Sequence, residues 1–249
     1  MKHLEFIRLV PQAETAILMI HGIIGTPNHF TDFVSLIPPE ISVWNLLLDG
    51  HGSSVSDFSH SSMKIWREQV QQAVDQLCET HKQIVIVAHS MGTLFALQQA
   101  VRRPKQVKTL FLLACPLKIF VRWGACKNAW HVFRQKTDSA DARALAAQKA
   151  CGTMPDKKLW RYLGWLPRYM ELFSEIRATR KVLPQVTVPC RIFQSRRDEL
   201  VSMLACKLLQ QNENLRTTVL EHSGHYYYHP TEYQLLLDEF EQLLQQHPL

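Results

Sequence analysis

The sequence predicts an α/β protein built on a mostly parallel central sheet flanked by helices. Three observations carry that reading. Short runs of branched apolar residues recur seven times along the 249 residues, and helical segments alternate with most of them. One run, Ile-Val-Ile-Val-Ala-His-Ser-Met-Gly at residues 84–92, stops abruptly on Ser90 and passes straight into a helical pattern. Strands that alternate with helices make parallel β-α-β units, and helices then cover the sheet on both sides.

Leu4 to Val10 and Ala16 to Ile20 read as the first strands, joined through the Pro11-Gln-Ala-Glu turn. A helix over His29 to Ile37 and a strand over Ile41 to Leu48 follow. Ser62 precedes a helix from Met63 to Thr80, where Ile65, Trp66, Val70, Val74 and Leu77 form an amphipathic stripe. Ile84 to Ala88 is an unbroken apolar run, the mark of a strand buried on both faces. Met91 to Arg102 continues at helical spacing. Further strands are expected at Val107 to Ala114, Cys190 to Gln194 and Thr217 to Glu221, with helices over Val201 to Gln211 and Thr231 to Gln246.

One interval breaks the alternation. Between Pro116 and Pro189 there is no convincing strand, only helical stretches such as Ser139 to Ala150 and Arg168 to Lys181. The expected organisation is a core formed by residues 1–116 and 183–249, with residues 117–182 inserted as a helical cap over the strand ends. The insert carries nine aromatic residues, Trp123, Trp130, Trp160 and Trp165 among them. About half should form the core of a small bundle and a few should line an acyl pocket. It also holds 14 Lys/Arg against 5 Asp/Glu, whereas the rest of the chain has 14 basic and 17 acidic residues. That local excess suits either a solvated face or a surface turned to acidic substrates or anionic lipid headgroups.

Composition bounds the class. Hydrophobic content of 46% and charged content of 20% are ordinary for a soluble globular enzyme, and no apolar run has the length of a bilayer span. Met1-Lys2-His3-Leu4-Glu5 lacks the apolar segment of a signal peptide. The six cysteines are scattered with no C-x-x-C pair, so reduced thiols in a cytoplasmic protein are expected, with neither metal ion nor organic cofactor. Basic residues beside aromatics could suggest nucleic acid, but no recognition motif accompanies them.

A serine hydroxyl needs a base, an orienting carboxylate and donors for the oxyanion. Ala88 and Gly92, two positions to either side of Ser90, leave room for a sharp strand-to-helix turn. Downstream, Arg191 to Val201 is a strand followed by a turn bearing Asp198, with Glu199 as its rival. Thr217 to His225 is a strand followed by a histidine loop, in which His222 and the later His229 compete with His225. Upstream, Ile17 to Gly25 is a buried strand entering a Gly-flanked loop. There the Ile23 amide would join the Met91 amide, at the start of the helix, as oxyanion donors. His21 and His89 read as supporting hydrogen-bonders. Asp49-Gly-His-Gly-Ser53 reads as a structural turn, with a wall of the acyl pocket as the sharper alternative.

His21-Gly-Ile-Ile-Gly25, Asp49-Gly-His-Gly-Ser53, Ala88-His-Ser-Met-Gly92, Asp198-Glu-Leu-Val201 and Ser223-Gly-His225 occur in an order that resembles the α/β-hydrolase fold. The closest likeness is to its carboxylesterase and monoacylglycerol-lipase branch. The resemblance covers almost the whole chain, although residues 117–182 carry no matching motif, and Ala88 stands where glycine is commoner. It implies Ser90 as nucleophile, Asp198 as acid and His225 as base, with the Ile23 and Met91 amides as oxyanion hole. The implied substrate is a small acyl ester. An acyl transferase, thioesterase or aminopeptidase could use the same groups, and a non-catalytic binding protein could keep the scaffold.

Overall fold

The computed structural model describes residues 3–134 and 141–246, with the side chains of residues 126–128, 131 and 134 outside that description. Its strands are β1 (Phe6–Arg8), β2 (Thr15–Ile20), β3 (Ser42–Leu46), β4 (Gln83–His89), β5 (Val107–Leu113), β6 (Cys190–Ser195) and β7 (Leu215–Leu220). They form one sheet in the order β1-β3-β2-β4-β5-β6-β7. Only β1 runs antiparallel to its neighbour; all other described pairs are parallel. Seven strands were expected and seven are found among the described residues. The first is shorter than its sequence suggests, because it lies at the sheet edge and the Val10 amide turns to Ser42 Oγ at 2.9 Å.

The helices are α1 (Thr31–Leu36), α2 (Val55–His60), α3 (Met63–Thr80), α4 (Met91–Arg102), α5 (Trp123–Arg134), α6 (Ala142–Ala150), α7 (Leu166–Val182), α8 (Leu204–Leu209) and α9 (Pro230–Gln245). The helix expected from His29 starts as a 3-10 turn over Pro27–Phe30. The one expected from Val201 begins at Leu204, because Val201 bridges to Ile119 in extended form. α2 was not anticipated, although its signal is legible. Ser54 Oγ accepts the Asp57 amide at 3.2 Å and Asp57 Oδ2 accepts the Ser54 amide at 3.1 Å, a reciprocal cap. Of the helix expected over Ser139 to Ala150, Ser139 and Ala140 lie outside the described residues. The described part is capped by the Asp141 carboxylate, which accepts the Arg143 and Ala144 amides.

Period-two alternation sends successive strand residues to opposite faces. Leu18, Ile20, Ile84, Ile86 and Ala88 pack against α3 and α4 through Trp66, Val70, Val74, Leu94 and Leu97. Ile17, Met19, Val85, Val87 and Phe111 face Phe30, Phe33, Leu236 and Phe240 instead. The two faces are covered as the sequence implies.

β3 lies on one side of β2 and β4 on the other. Connections therefore leave the carboxyl ends of β2 and β4 in opposite directions and open a crevice between them, the usual ligand position in such sheets. Helices α5, α6 and α7 fall between β5 and β6, and no strand interrupts them among the described residues. α7 is fastened to the core by Glu175, which meets Arg67 Nη1 at 3.0 Å and Gln98 Nε2 at 2.7 Å. No helix among the described residues is long and apolar enough to cross a membrane.

Candidate active site

Ser90 ends β4 and precedes α4 at φ +51° and ψ −123°. A non-glycine residue held there stores roughly 1–3 kcal/mol of strain, so its surroundings must over-determine it. They do. The Ser90 amide donates to the Leu113 carbonyl at 2.8 Å, and the Ser90 carbonyl accepts the Thr93 amide at 2.9 Å and the Thr93 hydroxyl at 2.7 Å. α4 leaves so close to β2 that a Cβ on Gly92 would overlap the Ile20 carbonyl and stand 2.8 Å from that of His21. Ala88, two residues before the serine, is fully buried in the apolar core. Ser90 stands at the N-cap position of α4 but makes no side-chain cap hydrogen bond, so the helix does not consume its hydroxyl.

Asp198 lies in the turn after β6. Its Oδ1 accepts the Leu200 and Val201 amides, each at 2.7 Å, and its Oδ2 lies 2.8 Å from His225 Nδ1. An ionised carboxylate only accepts, so His225 Nδ1 carries the proton. The main chain of His225 is held as well. Its amide donates to Glu199 Oε2 at 2.9 Å, and its carbonyl accepts from His89 Nε2 at 3.0 Å. Nε2 of His225 is buried and has no partner among the described residues. Of all the polar groups on this residue, the one left unused is the nitrogen that a base at this site must use.

The sequence rivals fall elsewhere. His222 and His229 pack on one another with ring centroids 5.4 Å apart and their planes tilted by 53°, and the carboxylate of Glu232 accepts the His222 amide at 3.0 Å. Glu199 is close to the site but meets the main chain of His225, not its ring.

The loop after β2 passes against the serine: a Cβ on Gly22 would lie 2.8 Å from Ser90 Cβ, which brings the Gly22–Ile23 peptide alongside it. Gly25 N donates to Gly22 O at 3.0 Å, and Ile24 adopts φ +53°. His21 braces this loop. Its Nε2 accepts the Leu48 amide at 3.1 Å, so its Nδ1 carries the proton and donates to Gly22 O at 2.9 Å. Burial, reinforced by nearby His51, drives the His21 pKa well down and keeps the ring neutral. Met91, first residue of α4, contributes one of the helix amides that have no intrahelical acceptor.

A cavity of about 450 Å³ opens beside these groups. Ile23, Ile24, His225 and Tyr226 form its floor, and Val121, Ala125, Ala129, Val132, Phe133, Ala147, Tyr162, Trp165 and Tyr169 form most of its walls. Residues 49–53 are not in the wall, so that turn is not the acyl-pocket wall considered as an alternative. Only four of the nine aromatics between 117 and 182 line the cavity. The other five, Phe120, Trp123, Trp130, Trp160 and Phe173, are exposed, so among the described residues they form no buried bundle core. α7 gives only Tyr169 to the cavity and turns Leu172 and Ile176 to the sheet-covering core instead. The small residues of α5 were missed by the sequence reading, although Val121, Ala125, Ala129 and Val132 recur at helical spacing.

The profile of the alpha/beta hydrolase family matches residues 17–238. Among solved structures, a metagenome-derived lipolytic enzyme described with LipS and LipT is similar at 18% identity, with a TM-score of 0.72 over 99% of this chain and 98% of that one. Est1E of Butyrivibrio proteoclasticus, solved with ferulic acid, is similar at 16% identity, TM-score 0.65, over 98% and 94%. Paleococcus ferrophilus monoacylglycerol lipase is similar at 13% identity, TM-score 0.65, over 98% and 99%. At these identities the likeness is one of fold. No curated protein sequence matches.

Proposed function

The chain belongs to the alpha/beta hydrolase family, and on that premise we propose that it is a serine hydrolase cleaving carboxylic esters through an acyl-enzyme on Ser90. The observation that carries the reading is His225, tied at Nδ1 to Asp198 and left with Nε2 as its single unengaged polar atom. In this reading Nε2 takes the Ser90 proton as Oγ attacks the ester carbonyl. The Ile23 and Met91 amides receive the oxyanion, where loss of one donor typically costs about 2.7–4 kcal/mol. Collapse expels the alcohol, which takes the proton from His225. Water, deprotonated by the same nitrogen, then releases the acid and restores Ser90.

The apolar cavity supports esters with a hydrocarbon acyl group, of the carboxylesterase or monoacylglycerol type. Residues 117–182 act in this reading as the cap over a core of residues 1–116 and 183–249. Exposed Trp123, Trp160, Leu163 and Leu166, with the basic excess of the same segment, support peripheral contact with an anionic lipid surface. Free thiols at Cys78, Cys115, Cys151, Cys190 and Cys206 support a reducing, cytoplasmic setting; the Cys126 side chain lies outside the described residues. Neither metal nor organic cofactor has a role in these steps.

The decisive experiment compares wild type with Ser90→Ala on p-nitrophenyl esters of graded chain length, beside fluorophosphonate labelling. Turnover and labelling should both vanish in the variant while the fold persists. Undiminished turnover would refute the acyl-enzyme. Thioesters and aminoacyl amides in the same panel separate the other acyl chemistries.

A further inference from the structure

Glu199 joins the base loop to the helices between β5 and β6. Its carboxylate is buried next to that of Asp198, yet the two grip different parts of His225. Asp198 takes the ring at 2.8 Å; Glu199 Oε2 takes the main-chain amide at 2.9 Å. The other oxygen of Glu199 faces Arg143 Nη1 at 3.5 Å. Arg143 stands in the first turn of α6 and reaches the base loop independently: its Nη2 donates to the His222 carbonyl at 3.3 Å, and its guanidinium lies 5.9 Å from the centre of the Tyr227 ring. The same turn is stitched to the segment by backbone as well. Arg122 N donates to Glu199 O at 2.8 Å and Phe120 N to Leu200 O at 2.9 Å.

Burying a second carboxylate beside Asp198 is electrostatically costly, and an ion pair seldom recovers that cost in stability. What the arrangement does secure is position. An imidazole held only through Nδ1 can still swing with its main chain. With the amide fixed by Glu199 and the carbonyl by His89, the ring has one place to stand. Glu199 is itself steadied by an arginine borne on α6, so the placement of the base is linked to whether that helix is seated.

We propose that Glu199 is a positioning residue for His225, and that Arg143 makes this positioning depend on the seating of the 117–182 segment. The kinetic part of the test rests on the ester-cleaving reading; the structural part does not.

The test compares Glu199→Ala, Glu199→Gln, Arg143→Ala and the Arg143→Ala/Glu199→Ala pair, each normalised to folded protein by its melting curve. Glu199→Ala should lower kcat by roughly 100-fold, the scale of a misplaced catalytic group, with little change in KM. Glu199→Gln should recover most of that loss, because its amide oxygen still accepts the His225 N–H. Arg143→Ala should lower kcat by less, and the two losses should combine well short of additively, since the Arg143–Glu199 contact is shared and only the Arg143–His222 bond is lost in addition. An unchanged kcat in Glu199→Ala, or no recovery in Glu199→Gln, overturns the positioning role. Additive losses overturn the link to α6. A loss confined to KM assigns Glu199 to the cavity wall instead, which also overturns it.

If wild type turns over no ester, the ester-cleaving reading fails alone. The positioning role is then read from the downfield proton resonance of His225 Nδ1–H, sharp in wild type and broadened in Glu199→Ala. An unaltered line in folded Glu199→Ala overturns the proposal. Should Glu199→Ala not fold, Arg143→Ala against Arg143→Lys carries the same comparison of kcat and line width, and no difference between either variant and wild type overturns it.

Discussion

The Gly152 amide donates to the Ile24 carbonyl at 2.7 Å, which ties the segment between β5 and β6 to the loop that carries Ile23. A Cβ at Gly152 would overlap Thr26 Cγ2 and stand 2.7 Å from the Gly25 carbonyl. Together with Arg143, this contact means that the segment touches both the loop that carries Ile23 and the loop that carries His225. Gly152→Ala should therefore shift the Ile23 peptide and lower kcat more than it lowers stability. Steady-state kinetics beside a melting curve checks this; a fall in melting temperature with kcat intact would contradict it.

Gly92 sits under a harder constraint, because both neighbours of its missing Cβ are backbone carbonyls of β2 and the following loop. Backbone at the centre of a sheet cannot give way as a flexible side chain can. Gly92→Ala should yield protein that is insoluble or melts well below wild type, whereas Ala88→Gly, which only removes one methyl from the apolar core, should fold. Soluble expression and thermal melting of the two variants test the contrast.

Asp198→Asn replaces an acceptor with an amide that can present its N–H to His225 Nδ1. The ring would then favour the tautomer with its proton on Nε2, the atom required as base. Activity should fall by about four orders of magnitude, with the fold preserved by the bonds to the Leu200 and Val201 amides. Residual turnover within tenfold of wild type would show that another carboxylate supports the base.

Acid should destabilise the fold before the carboxylates titrate. His51 lies among His21, Phe58 and Trp66, and burial pushes its pKa from the ordinary 6.5 down to about 4; burial likewise pushes His29 to about 3. Between those values and 6.5 the unfolded chain binds protons that the folded chain refuses. Stability is thus complete above about pH 6.5 and declines as pH falls toward 4, by up to ~1.4 kcal/mol per pH unit for a fully buried histidine. Melting temperatures measured from pH 7 to pH 4.5 should fall, and the slope should flatten in His51→Gln.

Vesicle binding tests the exposed aromatic side chains between residues 117 and 182. Trp123 is 85% exposed and Trp160 66% exposed, with Lys158 Nζ lying 5.9 Å from the Trp160 ring centre. Cosedimentation with phosphatidylglycerol-containing vesicles should exceed that with pure phosphatidylcholine, weaken with salt, and drop in Trp123→Gln/Trp160→Gln. Equal pelleting with both vesicle types would assign the basic excess to a solvated face.

By itself the sequence determined the fold class and the course of the sheet. Period-two and helical repeats depend on nearest neighbours along the chain, so the seven strands, α3, α4 and the strand-to-helix turn at Ser90 were all legible. Short elements held by local caps, such as α2, were there to be read and were passed over. What only the tertiary structure decided is which groups meet. Asp198 and Glu199 are adjacent in sequence and chemically alike, and nothing local tells them apart. Their roles separate because the turn after β6 directs one carboxylate to the His225 ring and the other to its amide. The cavity was hidden for the same reason: its lining joins residues of α5, α6, the start of α7 and the stretch before it to Ile23, Ile24, His225 and Tyr226, which meet only when the chain is packed. Pairing of residues remote in sequence is a property of the packed chain, and the linkage of Arg143 and Gly152 to the loops that carry His225 and Ile23 exists only there.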